Sequence, residues 1–174
     1  PINWAIVMGD AVAGVTTMLT DAGVDTGDML LSRATQIGEM ETAGELTGRL
    51  SKIGAELLIE TLDKYLAGAI APVPQDHESM THEPMLDKAM GEIDWTKPAR
   101  EIANLVRGLN PWPCAYTGIG EGVLKIYLAR AAESAADEVL MAAISAPSCL
   151  SRKASVPGLF RAIFSRSATA SNSR

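Results

Sequence analysis

The feature that most constrains the fold is one long amphipathic segment at residues 42–67. Thr42 and Glu45 have the spacing of a capping box, in which each side chain satisfies a free amide at a helix start. Gly68 is a suitable helix stop. Large apolar residues recur at helical spacing and would share one broad face: Leu46, Leu50, Ile53, Leu57, Ile59, Leu62 and Leu66. Such a helix needs a sheet or other helices to cover it, so the sequence predicts a packed domain.

Two segments before this helix are predicted to form a β-hairpin. Residues 14–20 (GVTTMLT) alternate in side-chain character and are rich in β-branched residues, and residues 28–37 (DMLLSRATQI) form a second candidate strand. The loop between them, DAGVDTGD, is rich in Gly and Asp, as hairpin loops are. Residues 2–8 look like a short helix that ends at Gly9.

The second half of the chain begins after a segment rich in proline and polar residues at 71–84, which is typical of an extended linker. A helix follows, with Thr96 as the expected cap and Pro98 in its first turn, and it ends at Asn110-Pro111. Residues 122–131 (GVLKIYLARA) are predicted to form one strand.

Charge is distributed unevenly along the chain. The net charge is −6, but residues 1–138 hold all 21 acidic side chains and only 10 of the 15 basic ones. This balance argues against a surface that coats nucleic acid without specificity. The last residues, 135–174, are rich in Ser, Ala and Arg and lack periodicity, so we expect them to be disordered or non-native.

Neither metal binding nor membrane insertion is expected. Cys114 and Cys149 are far apart and are interpreted as reduced thiols of a cytoplasmic protein. His77 and His82 lie in the linker, without other ligand types at metal spacing, and are expected to be solvated and away from the hairpin. No apolar run approaches the ~20 residues of a membrane span. A monomer is expected.

Four segments, in this order and spacing, resemble the methionyl-tRNA formyltransferases over roughly residues 1–130. They are GDAVAGVTTMLTDAGVDTGDMLL, ETAGELTGRLSKIGAELLIETL, PVPQDH and IDWTKPAREIANLVRGLNPWPCAYT, with VDTGDM and LNPWP as the most specific parts. The resemblance implies an α/β fold. The C-terminal half of a Rossmann-like catalytic domain would occupy residues 1–70, a linker 71–94, the start of an OB-like C-terminal domain 95–134, and an atypical tail 135–174.

The resemblance also implies an activity and its residues. The family transfers a formyl group from 10-formyltetrahydrofolate to the amino group of initiator methionyl-tRNA, its tRNA partner. Asp25 corresponds to the catalytic aspartate, and Gly23, Val24, Thr26 and Gly27 would line the folate pocket beside it. The Asn and His that complete the family's reacting site belong to a motif upstream of Pro1. The chain is therefore expected to be a fragment that is inactive alone.

Other interpretations remain open at this point. On spacing alone Asp25 is an ordinary turn residue, because Asp and Gly are the residues that turns prefer. The parent protein could instead be another folate-dependent formyltransferase or hydrolase, acting on a sugar nucleotide, a purine precursor or formyl-folate. A third possibility is a non-catalytic remnant or interaction module.

Overall fold

The computed structural model describes residues 1–81, 83–133, 138–143 and 161–164, with Glu133 and the last two ranges as backbone only. Its elements, in chain order, are α1 (Ile2–Met8), β1 (Val12–Met18), β2 (Met29–Gln36), α2 (Ala43–Leu66), α3 (Ala99–Gly108), β3 (Ala115–Ile119), β4 (Gly122–Ile126), β5 (Leu128–Glu133), β6 (Glu138–Ala143) and β7 (Arg161–Phe164). Short 3₁₀ helices lie at His77–Ser79 and Ala89–Gly91. The predicted α/β character is confirmed.

The first unit consists of the β1–β2 hairpin covered by α2. The strands pair antiparallel, with Val12 opposite Gln36 and a shift of register between Thr17 and Met18. The helix contacts the hairpin through a hydrogen bond of 2.8 Å between the Thr17 and Thr61 hydroxyls. Four side chains form its buried core: Ile6, Ala43, Leu46 and Leu50.

The capping box and the end of α2 are confirmed. The Thr42 hydroxyl accepts from the Glu45 amide, and the Glu45 carboxylate accepts from the Thr42 amide. Gly68 adopts the left-handed conformation just beyond the helix, with a φ of +68°. The apolar face is only partly covered by described residues, because Ile59 is 62% exposed and Leu66 82% exposed.

The second unit packs α3 against strands. Its core comprises Ile93, Ala99, Ile102, Ala103, Val106, Ala115, Ile126 and Ala129. β3 and β4 form a hairpin, while β5, β6 and β7 form a separate antiparallel sheet in that order. The prediction of one strand at 122–131 was wrong, because the chain leaves the first hairpin at Tyr127, where the Asn110 amide donates to the Tyr127 carbonyl at 2.9 Å.

The predicted cap of α3 was also wrong. Pro98 occupies the N-cap position, without a side-chain capping bond. The Thr96 hydroxyl instead donates to the Asp94 carboxylate at 2.6 Å, and the Thr96 amide donates to the same oxygen at 2.9 Å. Thr96 therefore belongs to a turn before the helix, and Pro98 stands at the N-cap, one position before the first turn in which it was predicted.

The expectation of an irregular tail needs correction where the structure describes it. Backbone strands occur at Glu138–Ala143 and Arg161–Phe164, and the first of these pairs with β5, with Leu128 opposite Ala143. The rest of the predicted tail, 135–137, 144–160 and 165–174, lies outside the described residues, as does His82.

The two units meet where α1 crosses α3. The Asn3 amide donates to the Gly108 carbonyl at 2.7 Å. A Cβ at Gly108 would lie only 2.5 Å from Val7 Cγ2, so glycine permits this close crossing. Arg107, 8% exposed, donates from Nη1 to the carbonyls of Gly38 at 3.0 Å and Glu41 at 3.3 Å. The guanidinium of Arg107, on α3, thus fixes the position of the segment that connects β2 to α2.

Candidate functional site

The candidate site is the loop at residues 19–28, which joins β1 to β2. A hydrogen bond of 2.9 Å from the Leu19 amide to the Asp28 carbonyl closes its base. Gly23, Val24, Asp25 and Thr26 are exposed, whereas Gly27 is buried. Of the five residues expected to bind folate, four therefore reach the surface at the tip of the hairpin.

Asp21 accepts hydrogen bonds from two other residues of this loop. Its carboxylate accepts from the Gly23 amide at 2.9 Å and from the Thr26 hydroxyl at 2.7 and 2.9 Å. The Thr26 hydroxyl, and after it the Gly23 amide, hold the pKa of Asp21 below its ordinary value. Since these donors stabilise the ionised form, Asp21 stays charged at neutral pH and keeps the loop folded back on itself.

Asp25 lies at the tip with a left-handed backbone, its φ being +55°. Only a few per cent of non-glycine residues adopt a positive φ, and Asp is among those that tolerate it best. The Asp25 side chain is exposed, and the Asp25 backbone carbonyl accepts a hydrogen bond from the Gln75 amide. The catalytic role of Asp25 remains a prediction, since the described residues place no second reacting group beside it.

The linker folds back onto the hairpin, contrary to expectation. Met29 and Val73 exchange two backbone hydrogen bonds of 2.8 Å each. Two residues later, the Gln75 amide donates to the carbonyls of Asp25 at 2.9 Å and Gly27 at 2.6 Å. His77 is exposed, as expected, but it is near enough to Asp21 for its charge to lower the pKa of that carboxyl slightly.

Gly27 is required by the loop itself. A Cβ there would lie 1.7 Å from the Leu19 carbonyl oxygen, so any side chain would force the backbone apart. This internal constraint accounts for the glycine without reference to a ligand. Val24, at the tip of the loop, is instead 88% exposed.

Sequence reasoning missed the roles of Gln75 and Asp21. Gln75 stands in PVPQDH, which was recognised only as part of a linker, and nothing local in the sequence shows that its amide reaches across 50 residues. Asp21 carried a weak signal, because an Asp two residues before a glycine is common in turns that use the carboxylate as an acceptor.

Residues 1–81, 83–133, 138–143 and 161–164 contain no group of three or more His, Cys, Asp or Glu side chains placed to hold a metal ion. None of the helices in this part of the chain combines the length and apolar character of a membrane span.

Comparison with known proteins identifies both units. The model of the formyl transferase family matches residues 1–62, and that of the formyl transferase C-terminal domain matches residues 85–157. The second match continues beyond residue 134, the boundary expected from sequence. A methionyl-tRNA formyltransferase of Acetivibrio thermocellus is 52% identical over 128 residues, which are 74% of this chain and 41% of that protein.

Solved structures agree on the fold. An N-formyltransferase from Helicobacter canadensis, in complex with folinic acid and dTDP-3-aminofucose, superposes with a TM-score of 0.65 at 19% identity, over 81% of this chain and 55% of that one. A methionyl-tRNA formyltransferase from Clostridium thermocellum gives 0.60 at 22% identity, over 83% and 61%. The chain spans about two fifths of the length of the curated relatives it matches. Matches to both domain models, in the expected order along the chain, show that it belongs to the formyl transferase family.

Proposed function

We propose that this chain is part of an enzyme that formylates the amino group of methionyl-initiator tRNA, with 10-formyltetrahydrofolate as the formyl donor. The 52% identity to a methionyl-tRNA formyltransferase over 128 residues is the observation that carries the proposal. The enzyme is proposed to act in translation initiation, as a monomer in the cytoplasm.

The chemistry gives the exposed loop a role. The amine nitrogen bonds to the formyl carbon as the bond from that carbon to the folate nitrogen breaks, and one amine proton passes to that nitrogen. A carboxylate at the tip can accept the amine proton or orient a water that does so. We propose Asp25 for this role, with Gly23, Val24 and Thr26 beside the folate ring and Gly27 shaping the loop that holds them.

A rival function would differ in the amine that accepts the formyl group. The Helicobacter canadensis protein was solved with an amino-sugar nucleotide, which favours a sugar amine as the alternative acceptor. That protein is only 19% identical to this chain, so its likeness shows the fold and not the substrate. The tRNA acceptor is therefore preferred.

A chimera tests the proposal directly. The matching 128-residue segment of the Acetivibrio thermocellus enzyme is replaced by that of this chain, and formylation of methionyl-tRNA is measured with 10-formyltetrahydrofolate. We expect activity within about tenfold of the parent, and none from the 174-residue chain alone. Preference for dTDP-amino sugars would contradict the proposed acceptor, and activity of the isolated chain would contradict the expectation that it is inactive alone.

Within that chimera, Asp25→Asn isolates the carboxylate. Asn tolerates a positive φ as Asp does, so the loop keeps its shape while the proton acceptor is lost. General acid–base groups contribute typically about 10²–10⁴-fold, and we expect kcat to fall by at least 10² with little change in KM for folate. Asp63→Asn, an exposed acid on α2, is the matched control and should leave kcat unchanged.

A further inference from the structure

The arginines of this acidic chain are used in two different ways. Residues 1–133 contain five, and two of these pair with carboxylates: Arg33 with Glu56 and Glu60, and Arg49 with Glu41. The other three, Arg100, Arg107 and Arg130, form no ion pair with any described residue, and all three line one cavity.

This cavity lies at the junction of the two units and has a volume of about 240 Å³. Arg100 and Arg107 come from α3 and Arg130 from β5, while Gly9 and Glu39 line the side that belongs to the first unit. Glu39 is the acidic residue among the described residues that line the cavity, and Glu41, which is paired with Arg49, is close enough to interact with the charge of Arg107. Arginines therefore outnumber carboxylates among the described residues around this cavity.

Hydrogen bonds to neighbouring residues orient the Arg107 and Asn104 side chains in this cavity. Arg107 Nε donates to Asn104 Oδ1 at 3.0 Å, which turns the Asn104 amide nitrogen away. That nitrogen and Arg107 Nη2 have no hydrogen-bond partner among the described residues. No fully enclosed side-chain nitrogen or oxygen in the same residues lacks a partner, so both donors are reached by solvent.

We propose that Arg100, Arg107, Arg130 and Asn104 form a binding site for a phosphate group. Guanidinium groups present paired donors that match phosphate oxygens, and none of these four side chains has a free acceptor to turn toward the cavity. Arg107 is pre-positioned by burial, whereas the two exposed arginines can close on the anion. The site shares no residue with the loop at 19–28, and the proposal does not depend on formyl transfer.

Phosphate could reach this site as the free ion or within a nucleic-acid backbone, and the two sources are separable. The isolated 174-residue chain is titrated with sodium phosphate at constant ionic strength, and amide shifts are followed by NMR. We expect saturable shifts in residues 99–108 and 128–133. A short RNA hairpin forms the second arm, where binding should weaken with salt, as phosphate contacts require.

The variant that tests the site is Arg100→Gln with Arg130→Gln, because both residues are exposed and Arg107 keeps its structural contacts. Phosphate affinity should fall at least tenfold, and the salt slope for RNA should fall by about one per arginine lost. Replacement of both residues by Lys keeps the charge but removes the paired donors, so phosphate affinity should fall, though by less than in the double Gln variant. Arg33→Gln, which removes a paired arginine elsewhere, is the matched control.

The outcomes separate clearly. Loss of phosphate binding in the double Gln variant, with normal binding in Arg33→Gln, supports the site whichever source binds better. Binding of phosphate alone assigns the free ion, and tighter binding of RNA assigns a backbone phosphate. Absence of saturable binding in both arms, or equal loss in Arg33→Gln, would overturn the proposal, and an unchanged amide spectrum before titration shows that the variants are folded.

Discussion

The loop at 19–28 and the α1–α3 junction lie at opposite ends of the same hairpin and are stabilised in opposite ways. At the junction Ile6 and Val106 are fully buried and Leu109 is 1% exposed. At the loop, the tip is exposed and is held by hydrogen bonds that Asp21 accepts and Gln75 donates. Burial at the junction therefore contributes more to the free energy of folding than the exposed loop does.

The largest effect is expected from a cavity at the junction. Leu109→Ala removes a buried side chain at the end of α3, next to the crossing, and should cost about 2–5 kcal/mol of unfolding free energy. Chemical denaturation followed by circular dichroism measures this difference. Leu66→Ala, at a side chain 82% exposed, should change stability by less than about 0.5 kcal/mol. Equal effects of the two changes would mean that the junction is not the stable part.

A methyl group at the base of the loop should have the next largest effect. In Gly27→Ala the new Cβ would overlap the Leu19 carbonyl oxygen, which is 1.7 Å away, so the strands must separate locally. Overpacking typically costs about 1–3 kcal/mol. Gly118→Ala adds the same atom where nothing lies within 4 Å, and it should be close to neutral. A neutral Gly27→Ala in the same denaturation assay would show that the loop closes differently.

The sequence predicted the features that depend on local signals and missed those that depend on distant contacts. The helix α2 was predicted to within one residue at each end, because its capping box and Gly68 are local signals. Thr96 carries the same kind of signal, but Pro98 occupies the N-cap position instead. The strand boundary at Tyr127 depends on a bond from Asn110, 17 residues away, which no local pattern reveals.

The candidate site divides in the same way. The turn chemistry of DAGVDTGD predicted an exposed hairpin loop, and the family resemblance drew attention to Asp25. The hydrogen bond that holds that loop comes from Gln75, 50 residues after Asp25. The linker that contains Gln75 was expected not to contact the hairpin. Contacts of such separation arise from the packing of the whole chain, so sequence patterns of helix or strand period cannot show them.

Gln75→Ala tests whether the linker holds the loop. The change removes donors from the Asp25 and Gly27 carbonyls, and one such hydrogen bond contributes about 0.5–1.5 kcal/mol. We expect amide hydrogen exchange in residues 19–28 to speed up about three- to tenfold, while global unfolding changes little. Gln36→Ala, an exposed glutamine on β2, is the matched control. Unchanged exchange in the Gln75 variant would contradict a holding role.

The smallest effect should be a pH dependence centred on Glu41, which lies on the junction side of the hairpin. Its carboxylate accepts from Arg49 Nε and Nη2 at 2.8 Å each and from the Gly38 amide at 2.9 Å. The bond from Arg49, followed by that from Gly38, holds the pKa of Glu41 below its ordinary value of 4.5.

Because the folded state binds the Glu41 proton more weakly than the unfolded state, this contact stabilises the fold above pH 4.5 and is lost as pH falls through the lowered pKa. The stability difference between the wild type and Glu41→Gln should therefore be present at pH 7 and shrink below about pH 4.5. Denaturation midpoints at several pH values measure it, with Glu56→Gln as a control whose side chain is 74% exposed. A difference that grows in acid would reverse the assigned sign and remove Glu41 from the contacts that hold the junction.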